Sequence, residues 1–149
     1  MEIDNIDFQI LRLLTENSRI QWKDLGEKIH MTGQAVGNRI KKLEDSGVIK
    51  AYSLIIDEMK LGLPYTAFVI MFMNSGKHHA SFIRFINDRN EVMEAHRISG
   101  DGCYHLKIKV KSQEQLNSFL NKLLDHGNYS LYLSIQEIKQ QHVLTATSQ

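Results

Sequence analysis

The spacing of apolar residues changes near residue 50, and no other feature constrains the fold as strongly. Before that point they recur every three or four positions: Ile3, Ile6, Ile10, Leu13 and Leu14, then Trp22, Leu25 and Ile29, then Val36, Ile40 and Leu43. Such spacing lines one side of a helix. Farther on, Tyr104, Leu106, Ile108 and Val110 alternate with Cys103, His105, Lys107 and Lys109, the period of a half-buried strand. Two grammars in 149 residues predict two small domains, each with its own core.

The first 50 residues read as three helices. Asp4 and Asp7 suit an N-cap and a first-turn acid for the first. The second fits residues 21–29, with Trp22, Leu25 and Ile29 on one side. His30, Met31 and Thr32 leave room only for a turn, Thr32 is an N-cap for the third helix, and Gly47 is its C-terminal stop. The following VIKAYSLII is rich in β-branched and aromatic residues and predicts a strand over 50–56, leading away from the helices. Residues 57–63 and Pro64, the only proline, then make a hinge. The expected boundaries are 1–50, a linker strand and hinge over 51–63, a second domain over 64–140, and a flexible tail over 141–149.

Beyond the hinge the order is strand, helix, strand, strand, helix, strand. The strands are expected at 65–73, 92–98, 103–110 and 130–138, the helices at 79–87 and 113–125. This βαββαβ order is the ferredoxin-like arrangement, and the whole chain is α+β. Right-handed crossovers place both helices on one face of an antiparallel sheet. Yet YTAFVIMFM, the first strand, is apolar on both faces, so the open face needs a cover. The simplest cover is a second copy of the chain, hence a homodimer.

Composition excludes several classes. No apolar run approaches the ~18 residues of a membrane span, and the acidic start MEIDNIDF is no secretory signal. A lone cysteine, Cys103, suits a reducing cytoplasm. Cys103 and His105, with His96 near, fall short of a zinc set, so no metal or other cofactor is expected. His78 and His79 read as a solvated helix start. No nucleophile–base group, P-loop or GxGxxG occurs, which argues against an enzyme. Net charge is +1; residues 1–50 hold eight Lys/Arg and eight Asp/Glu, leaving ten and nine of the chain's 18 and 17. Nucleic-acid binding must therefore come from local placement.

The third helix offers such a placement. Val36, Ile40 and Leu43 share one side; Gln34, Asn38, Lys41 and Asp45 share the other, with Ala35 and Lys42 nearby. Two helices joined by a short turn, the second presenting amides and cations, describe a helix-turn-helix. Asn and Gln suit adenine, Lys suits phosphate or guanine, and Ala35 can touch a thymine methyl. The same residues also suit the solvated face of any packing helix. Gly33 and Gly37 lower helix propensity, and Gly37 reads as a place where DNA or the preceding helix comes close.

The pattern Asp4, Asp7, Ser18-Arg19-Ile20, Val36, Arg39-Ile40, Leu43-Glu44 and Gly47-Val48-Ile49 resembles the Lrp/AsnC (feast/famine) family of bacterial and archaeal transcription regulators, with Thr32 in place of the usual cap serine. The resemblance covers residues 2–140. It implies that Thr32, Gln34, Ala35 and Asn38 face double-stranded DNA, with Lys41 and Lys42 on its backbone. Arg39 would be either a phosphate clamp or an ion-pair partner of Asp24 or Glu44.

The resemblance further implies assembly of homodimers towards an octamer, and a small amino-acid effector held between subunits at the turn joining the middle strands. Here that turn is Gly100-Asp101-Gly102-Cys103-Tyr104. Gly100, Asp101 and Tyr104 match the family pattern; Gly102 and Cys103 depart from it. Ser134 and Gln136, outward on the last strand, are further contacts. A plain hairpin accounts for the same turn residues. The implied location is the bacterial or archaeal cytoplasm, on the nucleoid. Alternatives from other classes are an amino-acid sensor acting through protein contacts, an effector-independent DNA-organising protein, and an RNA-binding sheet. The last needs exposed aromatics on the central strands, where strand 103–110 offers only an inward Tyr104.

Overall fold

The computed structural model describes residues 2–73 and 79–139. These fall into two compact units that divide between Ile55 and Ile56, inside the expected linker. His78 and the tail over 141–149 lie outside the described residues.

The first unit holds three helices, α1 (Asn5–Glu16), α2 (Trp22–Lys28) and α3 (Gly33–Asp45). Asp4 caps α1 in a reciprocal box: its carboxylate accepts the Asp7 N–H, and the Asp7 carboxylate accepts the Asp4 N–H. The Thr32 hydroxyl accepts the Ala35 N–H and starts α3. Gly47, at φ +73°, ends it as a left-handed stop. Ile10, Leu14, Leu25, Val36, Ile40 and Leu43 form the core. Trp22 departs from the expected apolar side of α2: it is 54% exposed.

No strand forms over 50–56. Tyr52, Leu54, Ile55 and Ile56 are all exposed there, and a strand needs a neighbour for its backbone groups, which this segment does not meet among the described residues. The Tyr52 hydroxyl ties it to α3 by donating to Glu44 Oε1 at 2.8 Å. Partial burial, and then the bond to Glu44, push the Tyr52 pKa up to about 12. A raised acid pKa contributes stability that is present below the unfolded value near 10 and is lost as pH rises through about 12. Alkaline titration at 295 nm, differenced against Tyr52→Phe, should therefore show one tyrosine with its midpoint near pH 12.

The second unit is the expected sheet and helix pair: β1 (Tyr65–Met73), α4 (His79–Asn87), β2 (Val92–Arg97), β3 (Tyr104–Val110), α5 (Gln113–Leu123) and β4 (Gly127–Leu133). The strands run antiparallel in the order β2-β3-β1-β4. In register, Ala67 faces Ile108, Val69 faces Leu106 and Met71 faces Tyr104. This row is buried with Phe82, Ile86, Leu116, Phe119, Leu120 and Leu123 of the two helices. Residues 57–63 form a turn in which the Leu61 and Leu63 amides donate to the Glu58 carbonyl, and the Glu58 carboxylate pairs with Lys109.

Two expectations are corrected here. β4 ends at Leu133 rather than 138, because its register with β1 starts at Gly127 and the Ser134 N–H already donates to the Thr66 carbonyl at the strand's end. His79 does not merely begin a solvated helix: its Nδ1 is hydrogen-bonded to the hydroxyl of buried Tyr104 at 2.8 Å.

Candidate nucleic-acid interface

α2 and α3 pack closely because glycine removes side chains where they meet. A Cβ on Gly26 would stand 2.4 Å from the Met31 carbonyl oxygen, and the Met31 N–H donates back to the Gly26 carbonyl at 2.8 Å. His30 takes φ +57°, a left-handed conformation unusual for a residue with a side chain, and so reverses the chain in three residues. On α3, a Cβ on Gly33 would lie 3.1 Å from the Lys23 nitrogen, and one on Gly37 2.5 Å from the Trp22 ring. Gly37 thus admits the preceding helix.

This packing leaves Thr32, Gln34, Asn38, Lys41 and Lys42 exposed, with Ala35 half-buried among them. Gln34 Nε2 donates to Asn38 Oδ1 at 3.3 Å, so the two amides lie side by side. Arg39 is placed apart from this group. Its Nη1 lies 2.8 Å from both Asp4 Oδ2 and Asp7 Oδ1, so its partners are the α1 cap acids rather than Asp24 or Glu44. Asp7 first and Asp4 second raise the Arg39 pKa. The Asp7 N–H, and then Arg39, hold the Asp4 carboxyl below its usual range. Because α1 and α3 are far apart in sequence, no periodicity within either helix points to this triad.

In the second unit, the turn after β2 bends through Gly100 at φ +117° and Gly102 at φ +112°. It closes over β1: the Cys103 N–H donates to the Met71 carbonyl at 2.7 Å, and a Cβ on Gly102 would meet Ile70 at 2.4 Å. Gly100 and Asp101 are exposed, while Gly102 and Cys103 are half-buried. Ser134 and Gln136 lie beyond the end of β4 and are not outward positions on it. The sheet face away from α4 and α5 carries Phe68, Ile70 and Phe72 of β1, with Tyr132 beside Phe68 on β4.

Residues 3–50 match the model of winged helix-turn-helix DNA-binding domains, and residues 66–144 match that of the Lrp/AsnC ligand binding domain. The chain belongs to the Lrp/AsnC family. It is a DNA-binding transcription regulator of that type, with a ligand-binding domain. The HTH-type transcriptional regulator LrpB of Bacillus subtilis (strain 168) is 63% identical over 142 residues, 95% of this chain and 95% of that one. LrpA of the same organism is 42% identical over 134 residues, 89% of this chain and 98% of that one. The solved structure of B. subtilis LrpC is similar with a TM-score of 0.88 at 32% identity, covering 95% of this chain and 100% of that one. The Neisseria meningitidis regulator NMB0573, solved in complex with L-Met, shares the fold at a TM-score of 0.90 and 23% identity, covering 97% of each chain. Among the described residues of this Lrp/AsnC chain, no helix is long and apolar enough to cross a membrane.

Proposed function

We propose that α3 reads operator DNA in the major groove, with Gln34 and Asn38 on base edges, Ala35 and Thr32 beside them, and Lys41 and Lys42 on phosphates. The supporting observation is the separation of roles on α3. The amides and lysines are exposed together, whereas Arg39 is committed to Asp4 and Asp7 and acts as a positioning residue. Two copies joined through the open sheet face, over Phe68, Ile70, Phe72 and Tyr132, present two such helices to half-sites about one DNA turn apart. Further assembly towards an octamer adds contacts by effective concentration.

The effector on this reading is a small amino acid held at Gly100–Cys103, where backbone N–H groups of a glycine-rich turn suit a carboxylate. The match to the Lrp/AsnC ligand binding domain supports it. The chain acts in the cytoplasm and is no enzyme, in keeping with relatives that are transcriptional regulators.

Selection of bound sequences from a random duplex pool, repeated with each amino acid present, tests both halves. The expected result is a two-fold related consensus whose occupancy shifts with at least one amino acid. On that consensus, Asn38→Ala should cost about tenfold in affinity and relax one base position. Lys41→Ala should instead lower the salt slope by about one, with the consensus unchanged. Wild-type affinity in both variants would remove α3 as the reading helix. A consensus indifferent to every amino acid would remove the effector alone.

A further inference from the structure

Trp22 is the only tryptophan of the chain, and it stands in an unusual position. Its ring packs on Gly37 of α3, yet the residue is 54% exposed. Tyr52 and Tyr132 are exposed to a similar degree, so exposure alone marks no partner, and the weight falls on where the ring is seated. Its location on α3 is specific. Taking about 100° per residue from Val36, Gly33 and Gly37 fall between the core stripe and the outward residues Lys41 and Gln34. Over its first two turns α3 offers no side chain on this flank, and residues 22 and 23 of α2 lie against it, with the Lys23 nitrogen 3.1 Å from the position a Gly33 Cβ would take. Gly37 therefore seats the indole, and Gly33 the α2 backbone behind it, at the margin of the reading face. Lys23 is exposed next to it, and among the described residues no carboxylate is paired with Trp22 or Lys23.

We propose that Trp22 is a DNA-contact residue: its exposed ring edge packs on the deoxyribose–phosphate backbone flanking the bases read by α3, with the indole N–H donating to a phosphate oxygen. The inference rests on α3 being the reading helix. The chemistry fits a backbone rather than a base. The indole supplies one N–H donor and no acceptor, and it sits beside the outward amides instead of among them. A phosphate oxygen takes a single donor, while the sugar offers an apolar surface to the ring. Such a contact adds affinity without reading sequence.

The single tryptophan makes the test direct. Titrating the full-length protein with its selected duplex should quench Trp22 emission and lower its acrylamide accessibility at least twofold. Trp22→Ala should weaken binding about tenfold, with the consensus and the salt slope unchanged, because no charge is removed. Trp22→Phe, which keeps a ring but not the N–H, should lose an intermediate amount. Gly37→Ala should also weaken binding, and that loss should vanish in the Trp22→Ala background, since its added methyl acts by displacing the ring.

Full-affinity binding with unchanged emission and accessibility would overturn the proposal. So would wild-type affinity in a Trp22→Ala protein whose thermal midpoint is retained. If instead Asn38→Ala and Lys41→Ala bind like wild type, the reading role of α3 itself falls. The two failures are therefore separable.

Discussion

Replacing Gly26 by alanine is expected to destabilise the helical unit by about 2–3 kcal/mol and to abolish DNA binding at concentrations where the wild type is saturated. The new Cβ would stand 2.4 Å from the Met31 carbonyl oxygen, well inside van der Waals contact. The obstacle is backbone, and that backbone is pinned, because the Met31 N–H donates to the carbonyl of Gly26 itself at 2.8 Å. Relief requires the turn over His30–Thr32 to move outward, and α3 moves with it. Alanine gains about 1 kcal/mol of helix propensity over glycine, which offsets only part of the cost. Urea unfolding followed by Trp22 fluorescence measures the change. An unshifted midpoint would show that the turn can yield freely, and the close approach would then hold no geometric information.

Arg39→Ala should cost a similar amount, about 2–3 kcal/mol, for an electrostatic reason. Asp7 is 1% exposed and is the buried charged residue of the described core. Its carboxylate accepts from the Asp4 N–H at 3.1 Å and from Arg39 Nη1 at 2.8 Å. Without the guanidinium the carboxylate keeps one neutral donor in a desolvated place. Breaking a buried pair from one side costs ~3–5 kcal/mol, and the partial exposure of Arg39 lowers the figure here. The double variant Asp7→Asn, Arg39→Ala should recover about half of the loss, because it removes the unpaired charge. Thermal unfolding of the four proteins in this cycle provides the check; additive losses would mean that the pair does not couple α1 to α3.

Acid should act on the same triad. Asp4 has a depressed pKa in the folded chain, chiefly from the Asp7 N–H and then from Arg39. Its contribution is therefore present above the unfolded carboxylate value and is lost as pH falls through the folded one. Arg39→Ala removes one of those causes, so its acid unfolding should begin at higher pH than that of the wild type.

The helix-turn-helix, the four-stranded sheet and the outward placement of Gln34, Asn38, Lys41 and Lys42 were all legible from residue order. Each depends on spacing within one element, and a face repeats with the period of the backbone that carries it. Caps were legible for the same reason: Asp4 with Asp7, and Thr32, act on backbone groups a few positions away. Errors fell where pairing rather than periodicity decides. VIKAYSLII has strand composition, but a strand is a relation to a neighbour, and this segment has none among the described residues. β4 was expected three residues late because its start at Gly127 is set by the register with β1, and a Cβ there would meet the Phe72 carbonyl oxygen.

The two glycines of GQAVGNRIKKL show where each source of information ends. Sequence alone determined that α3 carries them, that they weaken it, and that Gly37 marks a close approach of DNA or of the preceding helix. Only the tertiary structure decided what they admit: the Trp22 ring on Gly37 and the Lys23 backbone against Gly33. It alone also directed Arg39 to Asp4 and Asp7, 35 and 32 residues away. Local order sets which face a residue occupies. Contacts between elements distant in sequence depend on packing distances of a few ångströms, and those exist only once the helices have met.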